Sequence, residues 1–243
     1  MNKLELENRI KEIDEEISKI VYQGRKAIHD GIVDVDGYLN SDLKIMWILK
    51  EVNSDSDEGE WDMRDLFKDF KDETTNTGIK KGWGGTYLPL IYTTYGIINN
   101  LKWNDIPYIF DDYNVVETLK KVAIVNLKKV SGLAQADASE LQSFHKEFGN
   151  ILKKQIEYYQ PNVILCGGTG EFLDELFLDL FKEKYIENQD EKSKTIFYKY
   201  DNAIIAYAYH PSYVKRKGSN FEEEYCNSII NNVLEWKNQD LKK

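Results

Sequence analysis

The N-terminal segment of the chain combines apolar and charged residues with the period of an α-helix. Apolar side chains recur every three or four positions, at Leu6, Ile10, Ile13, Ile17 and Ile20. This spacing predicts an amphipathic helix within residues 1–30 that packs on the rest of the domain. A coiled-coil dimer through the same face is the alternative, but the segment is shorter than the roughly four heptads that a coiled coil needs. A monomer is therefore favoured, and the oligomeric state stays open.

Four apolar runs further along the chain lack the gaps of an amphipathic helix and are predicted to be buried strands. They lie at 44–50, 122–126, 163–166 and 203–208. Helical patterns separate them at 141–159 and 172–181. An alternation of strands and crossover helices is typical of a parallel sheet that helices cover on both faces.

Two further segments complete the predicted fold. Residues 195–200 are expected to add an edge strand, and residues 221–236 a closing helix. Because no internal repeat or low-complexity linker interrupts the pattern, the sequence predicts a single domain over residues 1–243. The expected fold class is α/β, a three-layer α/β/α domain around a mainly parallel central sheet of four or five strands.

Composition narrows the compartment and the partners. Asp and Glu number 42 against 32 Lys and Arg, a formal charge of -10, so a nucleic-acid partner requires a local basic patch. Cys166 and Cys226 are too few for a zinc ribbon, a four-thiolate iron–sulfur cluster or a disulfide framework. No run approaches the roughly 20 apolar residues that cross a bilayer, and the N-terminus lacks the apolar core of a signal peptide. We expect a cytoplasmic protein without membrane contact.

The candidate chemistry follows the predicted strands, since ligands of an open parallel sheet bind beyond the carboxyl ends of its strands. The segments after the four runs are Glu51-Val-Asn53, Asn126-Leu-Lys-Lys129, Gly167-Gly-Thr-Gly170 and His210-Pro-Ser-Tyr213. A basic run, Lys215-Arg-Lys217, comes shortly after the last of them. The glycine-rich segment lacks the lysine of a P-loop, which favours a tight strand-to-helix turn over a phosphate site. The four segments suit one shared cleft.

This ordered set resembles the uracil-DNA glycosylase superfamily. There, one strand ends in a water-activating motif such as Gly-x-Asn-Pro or Gly-Gln-Asp-Pro, and a later strand ends in His-Pro-Ser or Asn-Pro-Ser. Glu51-Val-Asn-Ser54 is similar to the first motif, with Glu51 and Ser54 in place of the usual Gly and Pro, and His210-Pro-Ser matches the second. Asn126, followed by Lys128, resembles the asparagine that reads the pyrimidine.

The likeness extends over residues 44–217, and residues 161–168 look like the superfamily's internal strand and glycine turn. Its iron–sulfur branches are excluded because they need four cysteines. The resemblance implies a uracil-DNA-glycosylase-like fold and a monofunctional DNA glycosylase. Such an enzyme flips a pyrimidine nucleotide out of the base stack, hydrolyses its N-glycosidic bond and leaves an abasic site.

The resemblance also implies roles for individual residues. Asn53 orients the water, and His210 donates a hydrogen bond to the departing base as its negative charge develops. Asn126 reads the edge of the flipped base with its amide. Carboxylates are the alternative groups for activating the water or stabilising the positive sugar: Glu51, Asp55 and Asp57. Neither a metal ion nor an organic cofactor is expected.

Aromatic and basic residues near the predicted cleft are the candidates for contacts with DNA. The aromatic candidates for stacking on the flipped base are Trp83 and Tyr87, with Trp61 and Tyr92 as further possibilities. The expected DNA contacts are Lys128, Lys129, Ser212, Tyr213, Lys215, Arg216 and Lys217. For Tyr213 two roles stay open, a wedge that enters the duplex and a ring that packs on the segment behind it.

The identity of the base also stays open. A long polar loop at 54–82 replaces the usual first motif and suits a larger polar substituent. Two classes of base are therefore equally favoured. A hydroxymethylated or glucosylated cytosine of phage DNA would imply anti-phage defence, and uracil or another deaminated base would imply repair. Two other classes are an inactive glycosylase-like module that binds nucleic acid or a protein, favoured by the altered first motif, and an enzyme acting on a nucleoside or nucleotide.

Overall fold

The computed structural model describes residues 1–53, 61–133, 135–182 and 185–240. Asp55 and Asp57 lie outside these residues. The helices in the described part are α1 (Lys3–Ile17), α2 (Val35–Asn40), α3 (Met63–Lys68), α4 (Gly84–Asn99), α5 (Asn114–Glu117), α6 (Ala138–Tyr159), α7 (Asp174–Leu180), α8 (Pro211–Lys217) and α9 (Ser219–Asp240). The strands are β1 (Val21–Tyr22), β2 (Arg25–Lys26), β3 (Gly31–Ile32), β4 (Ile45–Leu49), β5 (Val122–Asn126), β6 (Val163–Gly167), β7 (Ile186–Gln189), β8 (Ile196–Lys199) and β9 (Ile204–Ala208). Short 3-10 turns lie at Trp103–Asp105, Thr118–Lys121 and Gly170–Phe172.

The central sheet has seven strands in the described residues, in the order β3-β5-β4-β6-β9-β8-β7. The four in the middle, β5, β4, β6 and β9, are parallel to one another, and the outer three pair antiparallel. The last residues of these central strands are in register, as Leu49 is beside Asn126 and Gly167 beside Ala208. The carboxyl ends of the parallel strands therefore meet at one edge of the sheet.

Helices cover both faces of the sheet and form two apolar cores. On one face Ile45, Trp47 and Leu49 of β4 pack with α3, α4, α8 and α9, and on the other Met46 and Ile48 pack with α1, α2, α6 and α7. Each of the strands β4, β5 and β6 has five residues, and all of them are buried. Burial on both faces explains why these strands read as continuous apolar runs. The predicted α/β class, the three layers and the parallel centre are confirmed.

The predicted number of strands was too low, because the outer strands leave little trace in the sequence. β3 has two residues, and every residue of β7 is exposed, so neither contributes an apolar run. The strand predicted at 195–200 is present as β8, but β7 pairs with its outer side and removes it from the edge.

The N-terminal helix is shorter than residues 1–30. α1 ends at Ile17 and is followed by the β1–β2 hairpin and by β3. Its buried face, Leu6, Ile10, Ile13 and Ile17, packs in the core shared with α6. The Tyr158 hydroxyl of α6 also donates to a Glu12 carboxylate oxygen at 2.9 Å. The helix therefore packs on the domain body, as the pattern predicted.

The described part of the segment at 54–82 is not an open polar loop. It contains α3, and Met63, Phe67, Phe70 and Ile79 are buried in the core. This packing weakens the expectation that the segment receives a large polar substituent. No helix in the described residues is long and apolar enough to cross a membrane.

Candidate active site

A cleft of about 1120 Å³ opens beyond the carboxyl ends of β4, β6 and β9. Of the predicted site residues, those in its lining are Glu51, Asn53, Trp83, Tyr87, His210, Ser212, Tyr213 and Arg216. Its volume slightly exceeds the usual range for small-molecule and cofactor sites, about 300–1,000 Å³. The expectation that polar strand ends share one cleft is met for Glu51, Asn53 and His210.

His210 follows β9 and caps the N-terminus of α8, where Pro211 takes the first helical position. The backbone N–H of Ser212 points to His210 Nδ1 at 3.3 Å, and Ser212 Oγ lies 2.8 Å from the same nitrogen. Because an N–H can only donate, Nδ1 is an acceptor and the proton of the neutral ring is on Nε2. Burial, with the nearby charges of Lys50 and Arg216, lowers the pKa of His210 to about 4. At neutral pH the ring is an uncharged donor through Nε2.

Gly168 allows three segments to meet beside His210. Its φ is +71°, a conformation that favours glycine. A Cβ at this position would lie 3.1 Å from both the Cβ of His210 and the Cε of Lys50. The Gly168 N–H donates to Ala208 O at 2.8 Å, which ties the turn after β6 to the end of β9. The glycine turn therefore serves close packing, as its sequence favoured.

Asn53 is held by an extension of the parallel pairing beyond β4 and β5. The N–H of Lys128 donates to Lys50 O at 2.9 Å, and the N–H of Gly132 donates to Val52 O at 2.8 Å. Asn53 itself forms an isolated parallel bridge with Gly132. Its side chain is exposed in the cleft, so the amide is accessible to a bound molecule.

Glu51 begins a chain of alternating charges that runs from the cleft through a buried lysine to a partly exposed ion pair. Its carboxylate, 4% exposed, lies 2.6 Å from the fully buried Lys128 ammonium, which is 3.1 Å from Glu140. Glu140 in turn pairs with Arg25 of β2. Burial raises the pKa of Glu51 above that of an ordinary glutamate, while Lys128 opposes the rise. A Cβ on Gly132 would lie 2.0 Å from Glu51 Oε1, so this glycine leaves room for the carboxylate.

The prediction that Lys128 and Lys129 contact DNA is wrong, because both are buried and paired with protein groups. The Lys129 ammonium donates to both oxygens of Asp30 at 2.8 and 2.9 Å and to Gln155 Oε1 at 2.7 Å. Lys128 is enclosed by Glu51 and Glu140. Neither side chain can reach a phosphate group without unfolding its surroundings.

The base-reading role expected for Asn126 does not fit its placement. Asn126 is 3% exposed, outside the lining of the cleft, and its side-chain amide donates to the sulfur of Met63 at 3.0 Å. Its backbone N–H donates to Asp30 at 2.7 Å. Two other amides, those of Asn53 and Gln135, do line the cleft.

Trp83 and Tyr87 both border the cleft, but they differ in access. Tyr87 is 3% exposed, and its ring packs against Phe67 and Phe70 with centroids 5.0 and 5.4 Å apart. Trp83 is partly buried at the start of α4. Of the two, Trp83 presents the more accessible ring to a planar ligand.

The basic run after His210 divides into different environments. Lys215 pairs with Glu222 at 2.8 Å, and Lys217 lies over the ring of Tyr213 at 5.1 Å. Arg216 lines the cleft and has no carboxylate partner among the described residues. Tyr213 lines the cleft and packs on Tyr209, with ring centroids 4.9 Å apart.

The structure adds cleft residues that the sequence analysis did not single out, among them Lys50, Gln135 and Lys194. Lys50 could have been found, because it lies between the first apolar run and Glu51. Lys194 lies in the turn between β7 and β8, so its position beside the cleft depends on strand β7, which was not predicted. Gln135 lies in a loop that no local pattern relates to the cleft.

No protein-family model matches the chain, and no curated protein sequence matches it significantly. Among the described residues, no group of three or more His, Cys, Asp or Glu side chains is placed to hold a metal ion.

Proposed function

We propose that this protein is a monofunctional DNA glycosylase that hydrolyses the N-glycosidic bond of a flipped-out pyrimidine nucleotide. The observation that carries the proposal is geometric: His210 Nδ1 accepts the Ser212 N–H, which leaves Nε2 as the donor without a partner among the described residues, and His210 shares the cleft with Asn53. Heterolysis of the bond leaves negative charge on the base, and a fixed donor stabilises that charge as it forms. A neutral ring donates without requiring a proton from solvent.

The water has two candidate partners in this cleft. Asn53 can orient a water molecule but cannot accept its proton near neutral pH. Glu51 can accept a proton when ionised, or can stabilise the positive sugar. Because Glu51 is held by Lys128 and is 4% exposed, we propose that Asn53 positions the water and that Glu51 supplies negative charge behind it.

The charges of the cleft support an anionic substrate. Lys50, Lys194 and Arg216 line it, and none has a carboxylate partner in the described part of the chain. Two carboxylates also line it, Glu171 and Glu51, and that of Glu51 is paired with Lys128. In a protein of charge -10, cations that gather without acidic partners create a local positive field. Such a field suits the phosphate groups on either side of a flipped nucleotide.

The test uses three DNA duplexes that contain uracil, thymine opposite guanine, or glucosylated hydroxymethylcytosine. Each is incubated with the protein and then with alkali, which breaks the strand at an abasic site. We expect cleavage at one of these bases with the natural protein and far less with His210→Ala. DNA binding without any excision would instead favour an inactive binding module, and release of a base from free nucleosides alone would favour a small-molecule enzyme.

A further inference from the structure

Lys50 and His210 occupy adjoining parts of the cleft wall. Lys50 is the first residue after β4, and His210 follows β9. Both approach the same point, since a Cβ on Gly168 would lie 3.1 Å from the Lys50 Cε and from the His210 Cβ. The Lys50 stem and the His210 Cβ therefore flank one glycine, and both residues line the same cleft.

The Lys50 ammonium differs from the two lysines that follow β5. Lys128 and Lys129 are buried against carboxylates, whereas Lys50 is partly exposed and has no such partner among the described residues. Its backbone is fixed, because Lys50 O accepts the N–H of Lys128 at 2.9 Å. A positive charge that is carried on a fixed backbone and lines the same cleft as His210 is available to a ligand.

We infer that Lys50 is a second donor to the departing base, acting beside the Nε2–H of His210. The inference rests on the proposed glycosylase function and assigns this residue a catalytic role in it. When the bond between the sugar and the base breaks, its electron pair stays with the base, and the ammonium stabilises the resulting anion. Water then adds its hydroxyl group to the sugar, its proton completes the neutral base, and Lys50 remains protonated.

A cation at this place has a consequence for the class of substrate. Transition-state stabilisation by a charge grows with the charge that develops on the leaving group. The anion of a cytosine is more basic than that of a uracil, so its departure needs more stabilisation. The pair of Lys50 and His210 therefore suits the excision of poor leaving groups, which include modified cytosines.

The experiment measures single-turnover excision from duplexes with leaving groups of graded acidity: 5-fluorouracil, uracil and a cytosine derivative. Lys50→Met removes the charge but keeps most of the stem, Lys50→Arg restores the charge, and Lys121→Met is the control at an exposed lysine outside the cleft. We expect Lys50→Met to slow the poorest leaving group on the order of 100-fold and 5-fluorouracil about tenfold or less. Lys50→Arg should recover most of the rate, and Lys121→Met should not change it.

Equal slowing of all three bases together with weaker DNA binding would overturn the inference, because Lys50 would then be a phosphate contact. A second measurement does not depend on excision. Since Lys50 contributes to the low pKa of His210, Lys50→Met should raise that pKa in an NMR titration, and an unchanged value would refute the shared placement. If the natural protein excises none of the bases, the proposed function fails and this role fails with it. If excision depends on His210 but not on Lys50, only the role of Lys50 fails.

Discussion

Replacing Lys129 by Met should destabilise the fold strongly while leaving the DNA affinity of the folded protein unchanged. The Lys129 ammonium is the cationic partner of Asp30, whose side chain is fully buried. The variant would leave Asp30 with the N–H donors of Asn126 and Gln155, at 2.7 and 2.9 Å, but with no positive charge. Removing one member of a buried ion pair typically costs about 3–5 kcal/mol, because the remaining charge is uncompensated. This loss is a large share of a typical stability of about 5–15 kcal/mol.

The assay is equilibrium unfolding in urea, followed by fluorescence and circular dichroism. With a slope of about 3 kcal/mol per M, the expected loss lowers the midpoint by roughly 1 to 1.7 M. Lys121→Met, at an exposed lysine near the start of β5, is the matched control and should change stability by no more than about 0.5 kcal/mol. Asp30→Asn combined with Lys129→Met removes the stranded charge and should recover part of the loss.

A specific result would refute this reasoning. If Lys129→Met were as stable as Lys121→Met but bound DNA more weakly, the ammonium would have to face solvent and phosphate groups. The original prediction of a DNA contact at Lys129 would then be correct. If the double variant were less stable than Lys129→Met alone, the buried charge of Asp30 would not be the source of the cost.

Four further outcomes are expected. His210→Ala should slow excision about 100- to 1,000-fold while DNA affinity, measured by anisotropy, stays within a few-fold; an equal fall in affinity would make His210 a DNA contact. If Glu51 must be ionised, the excision rate should fall as the pH drops through the pKa of Glu51, which burial raises above that of an ordinary glutamate. Glu51→Gln should abolish this fall on the acidic side of the pH–rate profile. If the fall persists in the variant, it belongs to another group. Arg216→Gln should reduce the salt dependence of DNA affinity by about one phosphate contact. Lys215→Gln should reduce it less, because Lys215 pairs with Glu222. A larger effect of Lys215→Gln than of Arg216→Gln would contradict the placement of these charges. If the Tyr213 ring is a wedge, Tyr213→Ala should slow excision from duplex DNA more than from single-stranded DNA. Equal slowing on both substrates, with a lower melting temperature of the protein, would show that the ring serves its packing on Tyr209.

The sequence located the four central strands because burial on both faces leaves uninterrupted apolar runs, as in β4 and β6. Their parallel pairing then placed the cleft, since aligned carboxyl ends form one edge of the sheet. The outer strands could not be found in this way. β7 carries no buried residue, and its presence depends on pairing with β8.

The pattern of apolar and polar residues could not predict the direction of the side chains at the strand ends. Leu49 and Asn126 are neighbours in register, yet the Asn126 amide turns to Met63, while Lys50, one position beyond Leu49, reaches the cleft. Successive residues of a strand point to opposite sides, yet all of residues 49–53 line the cleft, so this alternation alone does not separate core residues from site residues. A polar residue at a strand end therefore locates the edge of the sheet without showing which side chain faces the ligand.

The charges of the site follow a related rule, in which the neighbouring carboxylates decide the role of each cation. Acidic residues outnumber basic ones by ten, so a lysine or arginine of this chain readily meets a carboxylate. Lys128, Lys129 and Lys215 do so and become part of the structure. Lys50 and Arg216 line the cleft without such a partner in the described residues. In an acidic protein a cation without a carboxylate partner is more informative than a run of basic letters, because its charge remains available to a ligand. This is why the candidate site centres on Lys50, His210 and Arg216 rather than on the lysines that follow β5.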